Sequence, residues 1–126
     1  MAEVPQDISP FASLGGEPVL RTVIHEFVEA MCEDAMIGFF FAGVDRARLK
    51  TREYEFTARF LGHPIPYTGR PIPEAHARHR IFGGQFDRRS QILRATLTKY
   101  DIPRAVQDHW FAHLETLRPQ VVRSAC

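Results

Sequence analysis

Three side chains in this sequence stand where they could do chemistry: His76, Glu53 and Arg89. His76 follows Pro71 and Pro73 and precedes Ile81. An imidazole is a good iron donor when its other ring nitrogen is hydrogen-bonded to a backbone carbonyl, and a short Pro-bounded helical turn offers such a carbonyl. Ahead of it run Phe39-Phe40-Phe41, a helix with a one-sided apolar face that includes Phe56, and the turn Tyr67-Thr68-Gly69. Phenylalanines give a flat macrocycle a large apolar contact and exclude the water that would help oxidise ferrous iron. Aromatic wall, one-sided helix, turn and histidine come in the order a haem pocket needs.

Glu53 and Arg89 are the second element of possible chemistry. Glu53 interrupts an apolar face between Leu49 and Phe56, and Arg89 interrupts another between Phe86 and Leu93. An isolated inward charge is very costly, so two opposite ones should meet or find a ligand. The expectation is an ion pair over the open face of the pocket. It either seals that pocket, swings to solvent with a small helix rotation, or works on a ligand. In the working case Arg89 stabilises negative charge on a peroxide or other oxidised ligand while Glu53 carries a proton. Arg89 lowers the pKa of the carboxylate and burial raises it.

Helical spacing dominates the chain, and strand alternation is hardly present. Gly15-Gly16 and Pro18 open a first long helix with Val19, Val23, Phe27, Ala30 and Met31 on one face, ending at Glu33-Asp34. After Met36 to Phe41 and Gly43, a second helix carries Leu49, Glu53, Phe56 and Phe60 and closes at Gly62. Residues 63–73 hold four prolines and predict an irregular connection. A brief helical piece over 73–78 follows, and Gly83-Gly84 breaks the chain again. A third long helix shows Phe86, Arg89, Leu93, Leu97 and Tyr100 on one face; Pro103 opens a fourth with Val106, Trp110, Leu114 and Leu117. The fold class is all-α. So long an irregular segment between the second and third helices favours a small globin-like sandwich over a plain bundle, because such a segment usually forms part of a binding site.

At 126 residues with ten phenylalanines, the chain is expected to be one domain over 13–126, preceded by a flexible leader over 1–12 that does not read as an export signal. Sixteen basic against fifteen acidic residues argue against a nucleic-acid or anionic-membrane surface, and no apolar run is long enough for a membrane span. Most of the basic residues in the clusters Arg78–Arg80 and Arg88-Arg89 read as solvated faces, Arg89 being the inward exception. Two cysteines, Cys32 and Cys126, make neither a disulfide framework nor a thiolate metal site and suggest a reducing, cytoplasmic setting. Of the other histidines, His25, His63, His109 and His113 read as exposed or structural.

The tract Phe40-Phe41-Ala42-Gly43 with Leu49-Lys50, then Leu61-Gly62, Pro66-Tyr67-Thr68-Gly69, Ala75-His76, Ile81 and Phe86, resembles the truncated haemoglobins, most closely their first group. The likeness runs from about Ser13 to Leu117. It implies a two-on-two helical sandwich around one haem b, with His76 as the metal ligand. Phe41 would stack on the porphyrin and Phe56 line its edge. Ile81, Phe86 and Phe27 would complete the pocket, Lys50 and Tyr67 would lie near the propionates, and His79 would be a further propionate contact. Val28, Leu49, Glu53 and Arg89 would face the bound gas. The family commonly has a tyrosine and a glutamine where this chain has Val28 and Glu53; valine offers no donor and an ionised glutamate repels negative charge.

Three functions follow. The first is a globin that binds oxygen, nitric oxide or carbon monoxide, including conversion of nitric oxide with an unidentified reductase as partner. The second is a haem enzyme that activates peroxide or a nitrogen-oxide substrate through Glu53 and Arg89. The third, a helical interaction domain without cofactor, is opposed by the intact tract around His76.

Overall fold

The computed structural model describes residues 8–123. Six helices fill them in the order Pro10–Leu14 (α1), Gly16–Glu33 (α2), Arg46–Phe60 (α3), Ile72–His76 (α4), Gly83–Lys99 (α5) and Arg104–Val121 (α6), with a 3-10 turn at Gly38–Phe41. No strand occurs among the described residues. The four long helices are those the spacing predicts, and they pack as two neighbours, α2 with α3 and α5 with α6, joined where α2 meets α5. The short α4 lies against α6.

Helix α2 is the centre of the core. Leu20, Val23, Ile24, Phe27, Val28 and Met31 are all buried along it, a stripe wider than the five positions predicted, while Val19 and Ala30 are only partly covered. Against this stripe stand Tyr54, Ala58 and Leu61 from the α3 side, Leu93 and Leu97 of α5, and Trp110 and Leu114 of α6. Each fully buried apolar side chain of this size contributes about 1.5–3 kcal/mol. Helix α3 therefore has two inward faces. Tyr54, Thr57 and Ala58 enter the core, and the predicted face of Leu49, Glu53 and Phe56 turns toward a cavity.

The helix ends follow their residue chemistry. Asp45 caps α3 by accepting from the Arg48 N–H at 3.2 Å. Gly62 ends it at φ +104°, and a Cβ there would fall 2.7 Å from Cβ of Ser9, so the close approach of the N-terminal segment requires glycine. Gly83-Gly84 does not break the chain but begins α5, where Gln85 accepts from the Phe82 N–H at 2.9 Å.

Of the expected leader, residues 1–7 lie outside the described residues, and 10–12 belong to α1, capped by the Ser9 hydroxyl. The Phe11 N–H donates to the Leu61 carbonyl at 2.9 Å, and its ring stacks on His63 at 4.3 Å. One aromatic anchor and one backbone bond thus hold α1 to the end of α3.

Candidate functional site

A cavity of about 650 Å³ opens between α3, the 63–71 connection, α4, α5 and α6, a size typical of small-molecule and cofactor sites. Its apolar walls include Phe40, Phe41, Phe56, Ile81, Phe86 and Leu117. His76 lines it from the last turn of α4. The His76 Nδ1 lies 2.8 Å from the Ile72 carbonyl oxygen. A carbonyl only accepts, so Nδ1 carries the proton of this bond, and in the neutral ring that leaves the Nε2 lone pair for a metal. This is the carbonyl that the Pro-bounded turn was expected to offer.

Glu53 from α3 and Arg89 from α5 line the same cavity and form the expected ion pair. Arg89 Nη2 reaches both carboxylate oxygens, at 3.3 and 3.5 Å, so one nitrogen is shared between two acceptors. The guanidinium carbon lies 4.9 Å from the centre of the Phe27 ring, which backs it. Neither side chain swings out to solvent: Arg89 is 24% exposed and Glu53 22%.

The turn 67–69 is fixed to α3 through Glu55. The Thr68 N–H and hydroxyl both donate to Glu55 Oε1 at 2.8 Å, and Arg52 donates to the Thr68 hydroxyl. Burial opposes ionisation of Glu55, but the two Thr68 donors and then Arg52 and Arg21 hold its carboxyl below the usual range. The Tyr67 hydroxyl donates to the Arg70 carbonyl at 2.7 Å, folding the ring over Gly69 and into edge contact with Phe56 at 5.6 Å. Burial pushes the Tyr67 phenol up, and the nearby Glu53 carboxylate adds to the effect.

Comparison with known proteins decides the family. The model of the bacterial-like globins matches residues 9–123, nearly the whole chain. The chain belongs to that family, as a truncated haemoglobin. It is similar to the group 1 truncated hemoglobin GlbN of Mycolicibacterium paratuberculosis, 29% identical over 113 residues that cover 90% of this chain and 83% of that protein. The Synechocystis GlbN is 31% identical over 97 residues, covering 74% of this chain and 78% of that protein. The crystal structure of the Tetrahymena pyriformis truncated hemoglobin superposes with a TM-score of 0.86 at 24% identity, over 92% of this chain and 99% of that one. The fold is the two-on-two helical sandwich of these globins.

In this globin ten of the expected pocket residues come together at the cavity: Phe41, Leu49, Glu53, Phe56, Tyr67, His76, His79, Ile81, Phe86 and Arg89. Three do not. Phe27 and Val28 are buried in the protein core at 1% and 0% exposure, because the wide stripe of α2 turns them toward the other helices. Lys50 does not line the cavity but pairs with Glu29 at 3.2 Å, beside the Arg46–Glu29 bridge. Besides Arg89, the arginines at the cavity are Arg48, Arg52 and Arg70, which the sequence reading missed. Leu114, Leu117 and Val121 of α6 were also missed as lining, although the first two stood on the predicted apolar face. Of the other histidines only His79 reaches the cavity, edge-on to Phe40 at 5.8 Å. His113 stacks on Phe60 at 4.2 Å, His63 stacks on Phe11, and His25 and His109 are exposed. His76, lining a cavity with flat aromatic walls and arginines at its edge, fits a haem with its carboxylates.

Proposed function

We propose that this globin holds one haem b through His76 Nε2 and binds oxygen or another diatomic ligand, nitric oxide among them. The observation that carries the reading is the 2.8 Å contact of His76 Nδ1 with the Ile72 carbonyl, which selects the metal-binding tautomer. Bound haem supplies an iron centre that takes gases and exchanges electrons. The side chains of the chain do the rest. Phe41, Phe56, Ile81 and Phe86 exclude water from the ring. Arg48, Arg52 and Arg70, with His79, offer the propionates cations in place of the expected Lys50. A reductase is the class of partner that repeated nitric oxide conversion would need, and a reducing, cytoplasmic setting accords with a chain of two cysteines.

A second reading is favoured by the Glu53–Arg89 contact itself. Arg89 would stabilise negative charge on a peroxide or nitrogen-oxide substrate, and Glu53 would accept and return its proton. The experiment begins with absorption spectra of the haem-loaded protein, ferric, then reduced, then under carbon monoxide. A Soret band that moves with reduction and with carbon monoxide is expected; a spectrum of free haem refutes the assignment. The reduced protein in air then separates the two readings. A long-lived ligand-bound spectrum supports gas binding, whereas rapid oxidation and a fast spectral response to peroxide that Arg89→Leu abolishes support the enzyme.

A further inference from the structure

The contact between Glu53 and Arg89 is incomplete in a way that leaves room for a ligand. A guanidinium can present two parallel N–H groups to a carboxylate, but here Nη2 alone serves both oxygens at 3.3 and 3.5 Å. Among the described residues Nε and Nη1 of Arg89 donate no hydrogen bond, while the Phe27 ring lies behind the guanidinium, 4.9 Å from its carbon. The pair therefore holds one bound anion loosely and retains unused donors beside the cavity.

We infer that Glu53 and Arg89 form a site for small weak acids, HX, in which Arg89 holds the anion X⁻ and Glu53 takes the proton. The inference rests on the haem reading, because only a cavity otherwise filled leaves this pair as the polar group that a small ligand meets. The class includes hydrazoic and nitrous acids, hydrogen cyanide and hydrogen sulfide. In the step the H–X bond breaks and an O–H bond forms on a Glu53 oxygen. The Arg89 N–H groups exchange the Glu53 carboxylate for X⁻, so charge is conserved and nothing is oxidised. Entry of X⁻ without its proton would put two anions on one guanidinium in a half-buried site, which desolvation opposes.

Other charged or titratable groups line the same cavity. Helix α3 and its cap bring Asp45, Arg48 and Arg52 to the cavity, and the connection brings Tyr67 and Arg70. His76 and His79 face it from α4 and the segment after it. Only Asp45 adds negative charge, and its carboxylate accepts from the Arg48 N–H at 3.2 Å, so Glu53 is the acceptor placed beside Arg89.

The test uses azide on the ferric, haem-loaded protein, followed by absorption from mildly acid to mildly alkaline pH, with calorimetry in buffers of different ionisation heat. The expected result is uptake of about one proton per azide, with apparent affinity falling about tenfold per pH unit on the alkaline side. Glu53→Gln should abolish the proton uptake, and Arg89→Leu should weaken azide about ten- to hundredfold. Arg89→Lys, which keeps the charge, should recover part of that loss. Carbon monoxide, having neither charge nor proton, should bind the reduced wild-type protein without proton uptake. If azide binds wild type without proton uptake, or binds the Glu53→Gln and Arg89→Leu forms as it binds wild type, the inference is wrong while the haem reading stands. If the chain shows no protein-bound haem spectrum, both are wrong.

Discussion

Gly69→Ala is a small change with a calculable effect on the pocket. A Cβ at residue 69 would stand 2.5 Å from Cζ of Tyr67, 2.8 Å from its Cε1 and closer still to the phenol oxygen. The ring must move, because the clash is with its body and not with a flexible tip. Moving it breaks the hydroxyl bond to the Arg70 carbonyl, worth about 0.5–1.5 kcal/mol. It also breaks the edge contact with Phe56, worth about 0.5–1.5 kcal/mol. The combined loss of about 1–3 kcal/mol corresponds to haem leaving about 5- to 150-fold faster, since the turn lines the pocket. The assay is haem transfer from the loaded protein to an excess of an apo-globin acceptor. Tyr67→Phe should have the smaller effect of the hydroxyl alone and should not relieve Gly69→Ala, since Cζ and Cε1 remain. Tyr67→Ala should make Gly69→Ala nearly silent, a non-additivity expected of touching residues. A Gly69→Ala rate within twofold of wild type, or strict additivity with Tyr67→Ala, would refute the role given to this turn.

Further outcomes follow from the same contacts. Trp110, 2% exposed and packed edge-on against Phe60 at 6.0 Å, should lose about 3–5 kcal/mol of unfolding free energy on Trp110→Ala, measured in urea. Lys50→Met should leave haem transfer unchanged, because Lys50 serves Glu29, whereas Arg52→Ala should hasten it by loosening Thr68. Burial, and then the charge of His109, hold His113 below its ordinary 6.5. A histidine depressed in the folded state binds more protons when unfolded, so stability is complete above that value and is lost as pH falls below it. Unfolding curves of His113→Phe should lack this component, and an identical pH profile would contradict it.

Much of the site was legible because its residues obey local rules. A proline-bounded turn ahead of His76 foretold a carbonyl for Nδ1, and Ile72 supplies it. Two charges set into apolar faces foretold a pair, and Glu53 meets Arg89. The failures have a common cause in helix rotation and long-range partners. Periodicity shows that α2 has an apolar stripe but not how wide it is; the resemblance put Phe27 and Val28 at the pocket, and the structure buries both in that stripe. Lys50 reaches Glu29, 21 residues earlier in the chain, a pairing no local pattern announces. The arginines at the cavity escaped notice because an exposed arginine and one on a binding rim look alike in sequence. Helix α1 escaped for a related reason: Phe11 is an isolated aromatic until the end of α3 arrives to receive it.

The proposed role of His76 as the iron's protein ligand is tested most directly by His76→Gly, compared with wild type as reduced carbon monoxide spectra with and without added imidazole. The account predicts that the variant loses the wild-type spectrum and regains it when imidazole occupies the vacated space. A variant that keeps its haem with the wild-type spectrum in the absence of imidazole contradicts it.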